Sequence, residues 1–230
     1  MEDVKQFDLA VTPLREVNRF LHREAQGAGV RRVKISNADG AHSIAAGCHA
    51  PLDIEVDGHA GYYLGGMNMQ ANITVQGNAG PGVGENMMSG TIRVAGFAST
   101  AAGASAHGGL LVIQGDAALR CGISLKGGDI VVGGNVGSFS AFMAQAGRIV
   151  ICGDAGDALG DSLYEAVIYV RGTVKSLGAD ARYEPMTEAD FSAVAQLLGV
   201  AGFDHPARDF RRIASAKTLY HWNADANQEY

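Results

Sequence analysis

The 230-residue chain has little cysteine, little proline and a single tryptophan. Its three cysteines, Cys48, Cys121 and Cys152, are odd in number and widely spaced, with no C-x-x-C pair. That excludes a disulfide framework and the common zinc and iron–sulfur spacings, and leaves them as small buried fillers. Five prolines exclude a proline-rich linker. No run of 18 apolar residues, the length that would mark a bilayer-crossing helix, occurs, and the opening "MEDVKQFDLA" lacks the basic and then apolar pattern of a secretory leader. Lys and Arg number 18 against 24 Asp and Glu, a net charge of -6, so no broad basic field attracts nucleic acid. The expectation is a cytoplasmic protein with neither nucleic acid nor membrane as a partner. Its 47% hydrophobic content suffices for one sizeable core.

Glycine is abundant instead, with 32 residues, about double its usual ~7% share. Its placement is periodic. Gly58, Gly77, Gly96, Gly115, Gly134, Gly153 and Gly172 recur every 19 residues without an insertion. Two residues before each stands Val56, Val75, Val94, Ile113, Val132, Ile151 or Val170, and two before those Ile54, Ile73, Ile92, Leu111, Ile130, Ile149 or Ile168. Each period therefore holds one β-branched strand of alternating pattern that ends at glycine. Gly65, Gly84, Gly103, Gly122 and Gly160 form a second column, with Ala141 standing in once. Gly90, Gly109, Gly128 and Gly147 form a third, flanked by Ala71 and Ala166. Columns that admit alanine are expected to need small size. The first column, often followed by His59, Asn78, Asp116, Asn135 or Asp154, is expected to need positive φ. A narrow apolar column, Ala60, Ala79, Ala98, Ala117, Val136, Ala155 and Val174, should face inward at a tight corner.

Nineteen residues at ~3.3 Å each make a loop of about 60 Å, which suits a coil of three short strands. The fold class implied is all-β: a right-handed parallel β-helix of about seven 19-residue coils with N-terminal and C-terminal capping helices. The divisions are 1–39 (capping helix and lead-in strand), 40–180 (β-helix) and 181–230 (helix and docking tail). The cluster Gly80, Gly82 and Gly84 imitates a dinucleotide fingerprint. Gly84, however, belongs to a repeat column, and "ENMMSGTIRV" after it leads into a strand, which excludes a phosphate loop.

Coil stacks need covered ends. In front, Thr12 can cap, Pro13 suits the first helical position, Leu14, Val17, Leu21 and Ala25 form a stripe, and Gly27 stops it. Behind, Thr187 caps, Phe191, Val194, Ala195 and Leu198 form the stripe, and Gly199 ends it. His42, His49 and His107 show no metal-ligand spacing. Asp154, Asp157, Asp161 and Glu165 read as solvated bends. No catalytic, cofactor-binding or metal-ligating residue emerges. For a partner interface the candidates are Met67, Met87 and Met88, with Met69 and Met143 beside them, and Arg211 and Trp222 in the mixed basic and aromatic tail.

The stretches "GNAGPGVGENMMSG", "GASAHGGLLVIQGDAALRCGISLKGGDIVVGG" and "AFMAQAGRIVICGDAGDALGDSLYEAVIYVRG" resemble the GXGXG-repeat, or glutamate synthase domain-3, family over about residues 40–180. That family includes the C-terminal β-helix domain of the glutamate synthase large subunit and a β-helical chain of formylmethanofuran dehydrogenase. The flanks "LREVNRFLH" and "SLGADARYEPMTEADF" resemble its free-standing members, notably the domain-3 chain of N-methylglutamate synthase. The resemblance implies a scaffold without catalytic residues in a hetero-oligomer. It would join a class II glutamine amidotransferase-like subunit to a glutamate-synthase-like subunit that carries FMN and an iron–sulfur cluster. The reaction so implied converts methylamine and glutamate to N-methylglutamate and ammonia. A glutamate synthase, a formyltransferase/hydrolase or a formylmethanofuran dehydrogenase complex is the alternative setting. An autonomous carbohydrate-acting β-helix enzyme is opposed by the unbroken repeat.

Overall fold

Strands β3 (Asp53–Val56), β4 (Asn72–Val75), β5 (Thr91–Val94), β6 (Leu110–Ile113), β7 (Lys126–Val132), β8 (Ala146–Ile151) and β9 (Val167–Val170) stack in parallel and in chain order. The computed structural model describes residues 4–217. Equivalent residues lie directly above one another, Ile73 on Ile92 and Ile92 on Leu111. The chain is an all-β parallel β-helix of seven coils. Its inward isoleucine and valine columns are almost wholly buried, and each such side chain removed from water contributes about 1.5–3 kcal/mol.

Each coil contains one strand, not three. The rest is one bridge residue and a turn-rich arc. The bridge is the narrow column Ala60 to Val174, paired coil to coil and buried at all but its last position. In the arc, left-handed residues recur two apart, as at Tyr63, Gly65 and Met67 (φ 62°, 59° and 54°) and again at Arg120, Gly122 and Ser124. The alternation turns successive amides in opposite directions. Gly65 donates down to the Ile44 carbonyl (2.9 Å), whereas Met67 donates up to Glu85 (2.8 Å). A short arc thereby changes direction while pairing with both neighbouring coils.

The two glycine columns therefore have the reverse of their expected reasons. The second column is left-handed, with φ between 59° and 68° from Gly65 to Gly160, and Ala141 adopts φ 57° as well. In the first column only Gly58 has positive φ (94°). Its other members need close approach: a Cβ on Gly77 would lie 2.6 Å from the Gly58 carbonyl oxygen. With no side chain there, Gly115 donates to Gly96 at 2.9 Å and Gly134 to Gly115 at 3.0 Å.

The front of the stack is closed as the apolar stripe implies. Helix α1 (Leu14–Arg19) continues as a π-helical stretch, Phe20–Glu24, and Val17, Phe20, Leu21 and Ala25 sit in the rod's core. Pro13, not Thr12, occupies the N-cap position, without a side-chain cap bond. Asp8 organises that turn, its carboxylate accepting the Ala10 amide (2.8 Å) and its carbonyl the Thr12 amide (2.7 Å). Before it runs β1 (Val4–Asp8), parallel to β2 (Arg32–Ser36), which pairs with β3.

Helix α2 (Glu188–Ala201) is not an end cap. Its Val194, Leu197, Leu198 and Ala201 lie on the outer face of the sheet, against Val112, Val131, Val150, Cys152 and Tyr169. Thr187 and Asp190 form a capping box at its start. Ala195 is exposed, and the helix passes Gly199 to end at left-handed Gly202 (φ 85°). The back of the stack is closed by β11 (Arg211–Ser215), inserted antiparallel between β9 and β10 (Ala181–Glu184). Among the described residues no helix is long and apolar enough to cross a membrane.

Candidate functional site

The repeating polar side chains are engaged in building the stack. Below the first glycine column they form a ladder. His59 Nδ1 accepts the Asn78 amide (3.0 Å), and Asn78 Oδ1 accepts the Phe97 amide (3.0 Å). Asp116 accepts Asn135 (2.6 Å), Asn135 accepts Asp154 (2.7 Å), and Asp154 accepts Thr173 (2.6 Å). The polar residues that followed each glycine in sequence are thus acceptors for the coil above, each such bond contributing about 1 kcal/mol net. Inside the rod Asn68 is fully buried and satisfied, its amide donating to the Ala71 and Ser89 carbonyls and accepting the Ala71 amide.

The acidic run does not converge. Asp157 binds Lys175 (2.7 Å), and that hydrogen bond draws its carboxyl below the usual carboxylate range. Asp161 takes the Ser162 hydroxyl (2.9 Å), and Asp154 belongs to the ladder. The cysteines are buried and free in separate coils. Desolvation pushes the Cys121 thiol up to about 12 and that of Cys152 to about 11, so neither is poised as a thiolate. His42 Nδ1 accepts the Tyr62 amide (3.0 Å). Among the described residues no three His, Cys, Asp or Glu side chains are grouped to hold a metal ion.

A charged cluster fastens α2 and the terminal hairpin to the rod. The Tyr169 hydroxyl donates to Asp190 (2.7 Å), Arg212 reaches Asp190 at 3.4 Å and also pairs with Glu184, and Arg148 holds Asp129 through two bonds of 2.6 and 2.8 Å. Burial drives the Tyr169 phenol up, and its bond to Asp190 adds to this. Burial alone would raise the Asp190 carboxyl, but the Thr187 and Tyr169 hydroxyls and Arg212 outweigh it and hold it low.

Of the proposed interface residues, Met67 and Met88 are about half exposed at outer corners, with Met69 and Met143 similarly placed. Met87 is not available. It points into the core, 1% exposed, in step with Leu125 and Leu163, a column that could have been read from the sequence. Arg211 lies over the Tyr183 ring (5.2 Å) and donates to the Gly172 carbonyl, which makes it a brace. Trp222 lies outside the described residues.

No family model matches the chain. Over 224 residues it is 53% identical to Protein GlxC of Rhizobium meliloti (strain 1021), covering 97% of this chain and 98% of that protein. The chain belongs to the GlxC family. As a GlxC-family rod it carries exposed apolar groups on both sides of the turn-rich arc: methionines at one corner, and Tyr62, Phe97, Leu119 and Phe139 at the other. Neither the sequence pattern nor the glycine columns pointed to this second group, in which Tyr62 and Leu119 share a column while Phe97 and Phe139 lie in others.

Proposed function

We propose that this chain is the scaffold subunit of an N-methylglutamate synthase, joining a class II amidotransferase-like subunit to a glutamate-synthase-like subunit. The observation that carries the reading is the use of the repeating polar side chains: they bind the neighbouring coil's backbone and are spent on a regular rod. What remains outward is exposed methionine, tyrosine, phenylalanine and leucine, the residue types of contact surfaces. Membership of the GlxC family and the glycine-column resemblance to glutamate synthase domain 3 support the same setting. Flavin, iron–sulfur chemistry and the amidotransferase nucleophile are assigned to the partners, and this chain holds those partners together.

The test is reconstitution. The chain is co-expressed with the amidotransferase-like and flavin-dependent subunits of its own organism, and methylamine-dependent formation of N-methylglutamate is assayed with and without it. The expected result is one complex of three subunits whose activity requires the chain, which is itself colourless and inactive. A stoichiometric flavin spectrum from the chain alone, or full activity of the other two subunits without it, would overturn the reading.

A further inference from the structure

Between β2 and β3 the step departs from the 19 residues that separate β3 from β4, and the departure lies beside a large cleft. Arg32 of β2 pairs with Asp53 of β3, two residues more than the step from Asp53 to Asn72. The additional chain is taken up at a corner where Asn37, Asp39 and Gly40 are left-handed (φ 53°, 39° and 72°). Facing it is the connection from β1 to α1. Between them opens a cleft of about 760 Å³.

Its lining asks for three kinds of group at once. Leu9, Pro13 and Leu14 give an apolar wall. Asp39 has no ion-pair partner among the described residues, whereas Asp57 nearby is bound by Lys34 (3.1 Å). The third feature is the start of the ladder: in every later coil but that of Asp116 a side chain below caps the amide that follows the glycine, and the His59 amide has no acceptor among the described residues. His59 Nδ1 already accepts the Asn78 amide, so its neutral ring carries the proton on Nε2 as a further donor.

Resting on the scaffold reading, we infer that this cleft receives an extended peptide segment of a partner subunit bearing a Lys or Arg beside an aliphatic residue. Peptide carbonyls meet the free donors, the aliphatic side chain packs on the Leu9 and Leu14 wall, and the cation pairs with Asp39. A bare metal ion or an anion satisfies only one of these three demands.

The experiment uses the full chain and the two purified partner subunits. Asp39→Asn keeps the size and tolerates left-handed backbone while removing the charge; Thr12→Arg fills the cleft from its wall. Glu85→Gln, on a different coil, serves as control. Affinity is measured at low and high salt, and a photo-crosslinker at position 12 is mapped by mass spectrometry. The expected result is about a 10-fold weaker complex for Asp39→Asn with a shallower salt dependence, stronger loss for Thr12→Arg, no change for Glu85→Gln, and crosslinks to a segment containing Lys or Arg. If the wild-type chain binds the subunits and both cleft variants bind equally well, the cleft inference falls and the scaffold reading stands. If the wild-type chain binds neither subunit, both fall.

Discussion

The outer face of the sheet is built in two ways. One column of outward residues runs through both: Glu55, Thr74 and Arg93 on β3 to β5, then Val112, Val131, Val150 and Tyr169 on β6 to β9. The first half is solvated and held by its own side chains, Lys34 with Glu55 and Asp57, Gln76 with Glu55, and Asn72 with Asp53. The second half is buried under α2. At the boundary Arg93 and Gln114 donate to the Val200 and Ala201 carbonyls (2.7 and 3.1 Å), so the edge of the polar half also holds the helix C-terminus. Coil length and inward columns are the same in both halves; the polarity of one outward position decides whether a strand faces water or a helix.

The largest effect should come from making the two halves alike. Val131 is fully buried beneath α2, and Val131→Asp places an unpaired carboxylate there at a cost of several kcal/mol, comparable with the stability of a whole domain. Thr74→Asp makes the same chemical change on the solvated half and should cost about 0.5 kcal/mol or less. Ile130→Asp, one residue away but pointing into the rod, should be as damaging as Val131→Asp. Thermal melts check all three. Equal tolerance of Val131→Asp and Thr74→Asp would mean that α2 does not cover β7 in solution.

The next pair tests the arc, which both halves share. Gly122 is left-handed (φ 67°), and a Cβ there would sit 2.5 Å from Ile149 Cδ1, so Gly122→Val meets backbone strain and overpacking together, for about 2–4 kcal/mol. Ala141→Gly relieves a left-handed alanine at roughly 1 kcal/mol but removes a buried methyl group worth about 0.8 kcal/mol, and should change stability by less than about 1 kcal/mol. Because coils contact mainly their neighbours, amide exchange in Gly122→Val should quicken first around residues 103–141. Uniform acceleration along the whole rod would contradict this.

Acid should separate the halves. Hydrogen bonds from Arg182 and then Arg212 hold the Glu184 carboxyl below its usual value near 4.5, and Asp190 is held below 3.8. Groups with lowered folded values contribute stability that is complete above the unfolded values and is lost as pH falls through the folded ones. Below about pH 4, amide exchange in residues 188–201 should therefore accelerate before that of β3 to β5. Loosening of α2 near pH 6 would assign its docking to some other group.

Much of this was legible in the sequence. The repeat located all seven strands, the inward columns and the alanine bridge, because a coil stacked on its copies demands the same residue type at the same step. The reasons for the glycines were not legible, since close approach and positive φ both select glycine; Ala141 misled because a well-packed methyl group can offset a left-handed backbone. The position of α2 was written in the change from Thr74 and Arg93 to Val112, Val131 and Val150, but it is visible only when outward positions are read as a column. The cleft beside Asp39 was hidden because its walls come from three segments, 9–14, the corner at 36–41 and 57–59, that only the fold brings together.

The smallest expected effect concerns one missing rung. Among the ladder positions from His59 to Asp154, only Phe97 offers no side-chain acceptor, and the Asp116 amide above it has none among the described residues. Phe97 is about half exposed, so the phenyl ring gains little from burial in exchange. Phe97→Asn should restore the rung and add about 0.5–1 kcal/mol, less whatever the ring's buried half contributes. For a chain of this size that is a rise of roughly 1–3 °C in Tm. Asn78→Ala, which removes an existing rung one coil away, should lower Tm by a similar amount. If Phe97→Asn also weakens binding to a partner subunit while raising Tm, the phenyl ring is a contact for which the rod gave up a hydrogen bond. If Tm falls instead, the ring's packing outweighs the rung, and the ladder is a weaker determinant of coil stacking than the glycine column beside it.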